Sequence, residues 1–295
     1  MQTAAAVAEP QTLVTWPGDL AQVQPKFDSE PFVFSHQLAA HPLFRVEELL
    51  ELVKSVSKRP GDLYYDAGDV RVDQKWGTIP VTSMTHEEVL SRIETAGAWL
   101  IMKHVEEDPR YGKILKDYTD AILEVAPPEK RKLLRNPEML IIVSSPNRIT
   151  PFHIDGECNF LLQVQGHKTV RVFDRSNRSV LTEEEIERFY TVDGFAANFK
   201  PGIDEHAHQF ELTPGKAIHI PVLCPHWVRN GSEVSVSISV NYEFPDWYRA
   251  DLYRANWHIR RAGFKPTPPG SKLRDAVKRL SYKSIRYIRN GRQSG

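Results

Sequence analysis

Five short runs between residues 139 and 244 limit the possible folds more than anything else in this chain: "MLIIVSS", "NFLLQVQ", "KTVRVFD", "KAIHIPV" and "EVSVSISVNYEF". Each is rich in β-branched residues or alternates apolar with polar ones, and Gly, Pro and Asn turns separate them, which is the pattern of strands. Runs this short cannot cover their own apolar faces, so they must pack as an antiparallel sandwich or barrel. Upstream of Pro137 the period is 3.6 instead. "HPLFRVEELLELVKSVSKRPG" sets Leu43, Val46, Leu49, Leu50, Val53 and Val56 at helical spacing and stops at Pro60-Gly61. "TSMTHEEVLSRIETAGAWLIMKHVEED" offers Thr85 as N-cap with Glu88 three residues on, a capping-box pattern. "YGKILKDYTDAILEVAPPEKRKLL" is a further amphipathic helix, ended by Pro127-Pro128. The chain is therefore expected to be mainly β with helical flanks. The divisions expected are an irregular arm over 1–30, a mainly helical region over 31–136 with short strands near 63–83, a β core over 137–247, and a basic helical tail over 248–295. A polar insertion at 175–211, long enough for a lid or binding loop, interrupts the core.

The β runs carry polar residues where a core should be. In "ITPFHIDGECNFLLQVQGHKTV", His153 and Asp155 are two apart, so on a strand both leave the same face. An imidazole and a carboxylate on one face are two of the three ligands of the 2-His-1-carboxylate triad that binds non-haem Fe(II). The third must come from elsewhere, and His226, bracketed by two runs, competes with His206, His208 and His219. "EHAHQ" also pairs two histidines at strand spacing, but in a polar insertion without an apolar scaffold. Lys168 follows the Gln165-Gly166-His167 turn and so opens the strand paired with the one bearing Asn159. An inward lysine requires an anion, and no carboxylate close in sequence offers itself. In "SVSISVN", Ser235, Ser237, Ser239 and Asn241 share one face. That face fits either the wall of a cavity holding a small polar ligand or a solvated stripe.

Thr150-Pro151-Phe152-His153-Ile154-Asp155, then Asn159-Phe160, Gly166-His167-Lys168, Ile220-Pro221 with His226, and Val240-Asn241 occur in one order. On these residues, the chain resembles the JmjC/cupin-like 2-oxoglutarate oxygenases, in particular the branch containing the asparaginyl hydroxylase that modifies hypoxia-inducible factor. The resemblance implies a double-stranded β-helix (jelly-roll) core with a helical N-terminal region and a C-terminal helical tail. It implies Fe(II) on His153, Asp155 and His226, with Thr150 and Lys168 at the distal carboxylate of 2-oxoglutarate and Asn159 and Asn241 near its chelating end. The activity implied is hydroxylation of a C–H bond, in a protein side chain or small molecule, with dioxygen as co-substrate and release of succinate and CO2. Two alternatives use the same barrel: a non-catalytic metal-binding cupin with a regulatory role, and a Zn or Mn cupin isomerase. Family members often add an upstream tyrosine against the distal carboxylate; residues from Trp99 to Lys103 are the candidates here. The residues after Asp155 and the 175–211 insertion do not match the asparaginyl hydroxylase, so substrate identity does not transfer.

Composition narrows the partners. Lys plus Arg and Asp plus Glu number 38 each, so net charge advertises no nucleic acid. Two cysteines build no disulfide framework, which favours a reducing compartment. No apolar run approaches the roughly 20 residues of a membrane span, and the N-terminus lacks a basic n-region, so a cytoplasmic protein is expected. The tail sets eight basic residues from Lys272 to Arg292 against one acid, Asp275. Leu273, Val277, Leu280, Tyr287 and Ile288 approximate an apolar stripe on it. That stripe fits a helix docked on the body or on a second copy in a homodimer, ahead of an anionic surface such as nucleic acid.

Overall fold

The computed structural model describes residues 13–75 and 83–291, with side chains through residue 284. The strands are β1 (Val14–Thr15), β2 (Phe32–His36), β3 (Leu63–Ala67), β4 (Ala98–Met102), β5 (Arg135–Ser144), β6 (Ile149–His153), β7 (Glu157–Gln165), β8 (Lys168–Val172), β9 (His208–Leu212), β10 (Lys216–Ile220), β11 (His226–Asn230) and β12 (Ser235–Glu243). The α-helices are α1 (Leu20–Val23), α2 (Val46–Val56), α3 (His86–Ser91), α4 (Pro109–Val125), α5 (Pro128–Arg131), α6 (Glu183–Thr191), α7 (Trp247–Arg261) and α8 (Lys272–Gly291). Eight strands form one sheet in the order β1-β2-β10-β7-β12-β5-β4-β3, and β6-β11-β8-β9 form a second. Every pairing is antiparallel. This is the mainly β, jelly-roll architecture with helical flanks.

The strict alternation of β7, β12 and β5 explains how the layers assemble. One face of the large sheet carries Phe160, Leu162, Val236, Ile238, Val240, Ile141 and Val143, all buried in one core. The amphipathic helices close that core, α2 with Leu49, Leu52, Val53 and Val56, and α4 with Tyr111, Ile114, Tyr118, Ile122 and Val125. The opposite face turns toward the small sheet. There Leu161, Ile218 and Ile220 meet Val170, Val172 and Val228 in a second, smaller core. The rest of that inner face is polar and borders a cavity.

Upstream of residue 135 the structure is less helical than the sequence pattern suggests. The capping box of Thr85 and Glu88 is present, but α3 ends at Ser91. "AWLIM" is strand β4, paired with β3 and β5. All five of its residues are buried, so no polar face betrays a period of two. β2 likewise joins the large sheet beside β10. The insertion is folded, containing α6 and β9. Residues 1–12, the 76–82 part of the expected strands, and the side chains of Tyr287 and Ile288 lie outside the described residues.

Candidate active site

β6 ends at His153 and β11 begins at His226, and the two residues pair across the small sheet, beside a bulge between His226 and Val228. Asp155 follows two residues after His153, and its carbonyl accepts the Leu223 N–H at 2.9 Å, tying it to the loop that precedes His226. Ligand atoms of His153, Asp155 and His226 all lie within 4.8 Å of one another. Asp155 Oδ2 stands 3.7 Å from His153 Nε2 and 3.6 Å from His226 Nε2. Each ring is oriented from behind: His153 Nδ1 donates to the Pro151 carbonyl at 2.7 Å and His226 Nδ1 to the Cys224 carbonyl at 3.0 Å. A carbonyl only accepts, so Nδ1 carries a proton in both rings and Nε2 is the atom each ring turns toward the carboxylate. Burial, then the facing His153, pushes His226 down to about 4, which keeps its ring neutral.

The competing histidines are elsewhere. His219 projects from the other face of β10, stacked on Phe160 and Phe27 with ring centroids 4.6 and 5.3 Å away. Both its nitrogens are engaged, Nε2 accepting from Asp28 N and Nδ1 donating to the Asn159 carbonyl. Burial drives it to about 3. His206 and His208 are exposed on the insertion.

The His-Asp-His group borders a cavity of about 680 Å³ between the two sheets. Thr150, Asn159, Lys168 and Asn241 all line it. On β11, Val228 sits opposite Thr150 and Asn230 opposite Lys168, so the threonine and lysine share the inward face. Lys168 is 5% exposed, and among the described residues no acceptor pairs with its ammonium. Burial alone lowers it to about 7. Across the cavity, Asn159 Nδ2 donates to Ser239 Oγ and to Asn241 Oδ1, both at 2.7 Å. The serine face divides: Ser239 and Asn241 line the cavity, whereas Ser235 and Ser237 are fully buried against Gln163 at 3.0 and 2.8 Å.

The Trp99–Lys103 stretch offered by the sequence for an upstream contact does reach the wall, though it contains no tyrosine. β4 contributes Trp99 and Ile101, and Lys103 follows it directly. The hydroxyl beside them belongs to Tyr64 on β3, whose ring meets Trp99 edge-on at 6.1 Å. Tyr64 Oη donates to Asp66 at 3.1 Å, and Asp66 in turn holds the buried Arg148 guanidinium. Arg148 also donates to the carbonyls of Gly68 and Gly97, so it rivets β3 and β4 to the residue before β6. Glu138 and Glu157 line the cavity on the large sheet, and Phe189, Gly194 and Phe195 extend the wall from the insertion.

A structure titled E. coli ycfD superposes with a TM-score of 0.54 at 15% identity, over 92% of this chain and 68% of that one. A structure of YcfD, titled a ribosomal oxygenase from Escherichia coli in complex with cobalt and 2-oxoglutarate, gives 0.51 at 15% identity, over 92% and 67%. At such identity the likeness is one of fold. No curated protein sequence matches the chain. Residues 81–250, more than half of the chain, match the family described as the cupin-like domain, and the chain belongs to that family.

Proposed function

We propose that this protein is an Fe(II)- and 2-oxoglutarate-dependent oxygenase that hydroxylates a C–H bond. The observation that carries the reading is Lys168: a cation 5% exposed, without an acceptor among the described residues, in the same cavity as two imidazoles and a carboxylate. A bare metal-binding barrel has no need of it, because an unpaired buried ammonium costs several kcal/mol. A keto-diacid chelating the metal would place its far carboxylate against that lysine. The donor set fits Fe(II): two imidazole Nε2 atoms and one carboxylate would hold the ion and leave positions for the co-substrates. His153, Asp155 and His226 would hold the metal; Thr150 and Lys168 would take the distal carboxylate, and Asn159 and Asn241 would border the chelating end. Fe(II) with 2-oxoglutarate and dioxygen supplies the oxidising power to break a C–H bond. The chain's own work is to orient and to exclude water: the Pro151 and Cys224 carbonyls fix the rings, Lys168 neutralises the anion, and Leu161, Ile220 and Val228 keep the wall dry.

The complex of YcfD with cobalt and 2-oxoglutarate supports the same co-substrate on this fold. The motif-level resemblance to the asparaginyl hydroxylase favours hydroxylation over N-demethylation. Among the described residues no helix is long and apolar enough to cross a membrane. On α8, Leu273, Val277 and Leu280 are 80, 56 and 66% exposed, which supports a homodimer through the C-terminal helices. The test is 2-oxoglutarate turnover with Fe(II) and ascorbate, read as succinate, together with metal analysis after anaerobic purification. Succinate release that disappears in Lys168→Met upholds the reading. Tight Zn or Mn with no 2-oxoglutarate binding refutes it in favour of an isomerase, and metal binding without turnover favours a regulatory cupin.

A further inference from the structure

We propose that Phe189, carried by the insertion, sets how large a group reaches the metal centre, and that the tail helix α7 holds it in place through the Glu187–Arg260 ion pair. This rests on the oxygenase reading above. Phe189 lies on α6 and lines the cavity. Its ring rests on Gly156: a β-carbon built there would stand 3.3 Å from Phe189 Cζ. Gly156 directly follows Asp155, so the ring covers backbone one residue from the proposed ligand. A side chain there would press on the ring more tightly than ordinary van der Waals contact, so the glycine gives the aromatic edge its room.

The helix bearing this ring is anchored from both sides. Within the insertion, Thr182 and Glu185 form a capping box, and Glu185 also takes Lys200 Nζ at 2.8 Å and Asn198 N at 3.0 Å. From the tail, Arg260 donates Nε and Nη2 to the two oxygens of Glu187 at 2.7 and 2.9 Å, and the Glu187 side chain is 0% exposed. Such a two-pronged contact fixes angle as well as distance. Arg254 Nε donates to the Tyr190 carbonyl at 3.1 Å, and Tyr190 stacks on Tyr253 with centroids 5.9 Å apart. Glu187, two residues before Phe189, and Tyr190, one after it, are thus gripped by α7. The tail is part of the wall around the reacting centre, at one remove.

The experiment uses the full chain loaded with Co(II), whose visible absorption reports ligands at the open metal positions without turnover. The probes are imidazole and 4-phenylimidazole. The wild-type chain should bind the phenyl compound roughly tenfold or more weakly than imidazole, and Phe189→Ala should erase most of that difference. Phe189→Leu, a milder change that retains packing, should fall between them. Arg260→Met should shift the ratio in the same direction as Phe189→Ala, with Arg260→Lys recovering part of the wild-type discrimination. An unchanged ratio in both Phe189 variants, with Co(II) still bound, overturns the assignment of Phe189. A ratio that moves in Phe189→Ala but not in Arg260→Met overturns the role of α7. A wild-type chain that takes up no Co(II) instead removes the oxygenase reading on which both depend.

Discussion

Replacing Lys168 by methionine shortens the side chain by one atom, keeps it unbranched, and deletes a charge that the fold leaves unpaired. Burial lowers the ammonium from 10.5 to about 7. At pH 6 the lysine is protonated in the folded and unfolded chains alike, so folding bears the whole cost of burying the charge, about 5 kcal/mol for that drop. Between pH 7 and 10.5 the unfolded chain binds more protons than the folded one, and stability therefore rises with pH. At pH 9 folding need only release the proton, which costs about 2 kcal/mol. Without ligand, Lys168→Met should thus be more stable than wild type by up to about 5 kcal/mol at pH 6 and by about 2 kcal/mol at pH 9. Urea unfolding followed by tryptophan fluorescence at the two pH values measures both differences. Added 2-oxoglutarate, at a hundred times its dissociation constant, should raise the wild type by about 2.7 kcal/mol and leave the variant unmoved. A variant less stable than wild type at pH 6, or a difference that does not shrink at pH 9, refutes the claim that this ammonium is buried without a partner.

The same lysine predicts that 2-oxoglutarate affinity, followed by calorimetry, weakens by up to about tenfold for each pH unit above 7, because binding must first protonate it. His153→Ala or His226→Ala removes one of two imidazole donors and should lower Co(II) affinity by more than about 100-fold in a calorimetric titration, since even outer contacts to such ligands are worth 10- to 100-fold. Arg148→Met strands Asp66, whose side chain is 1% exposed, and should cost about 3–5 kcal/mol in urea unfolding, with Asp66→Asn added to it restoring part of the loss. Gly166→Ala forces a side chain on a backbone at φ +72° and sets its β-carbon 2.5 Å from the Val234 carbonyl. Its expected cost is at least about 1–3 kcal/mol, together with weaker 2-oxoglutarate binding, because that turn launches Lys168.

The β core could be read from the sequence because its strands alternate. In β7 and β12 the odd positions face the small sheet and the even ones the helices, so Asn159, Ser239 and Asn241 stood out as polar residues in apolar company. His153 and Asp155 were legible for the same reason, being two apart. β4 was not, because burial of all its residues erases the alternation and only its pairing with β3 and β5 makes it a strand. Choosing among His206, His208, His219 and His226 required register, which depends on contacts between residues far apart in the chain. His219 fails because it sits one position off the inward face of β10. Tyr64 and Phe189 carry no local signal at all. Tyr64 reaches the cavity through an edge strand, and Phe189 reaches it through a helix whose position is set by Arg260.

Asp28, in a stretch that looked like a loose arm, has a consequence for anyone who would shorten this protein. Its carboxylate accepts the Val222 N–H at 2.9 Å and pairs with Arg175 at 3.2 Å, and Arg175 in turn donates to the Val222 carbonyl. Val222 lies four residues before His226. A version trimmed to residues 81–250 would lose this clasp, strands β1 to β3 and the whole of α8. The region matched by the family thus leaves out the carboxylate that clasps the loop ahead of His226.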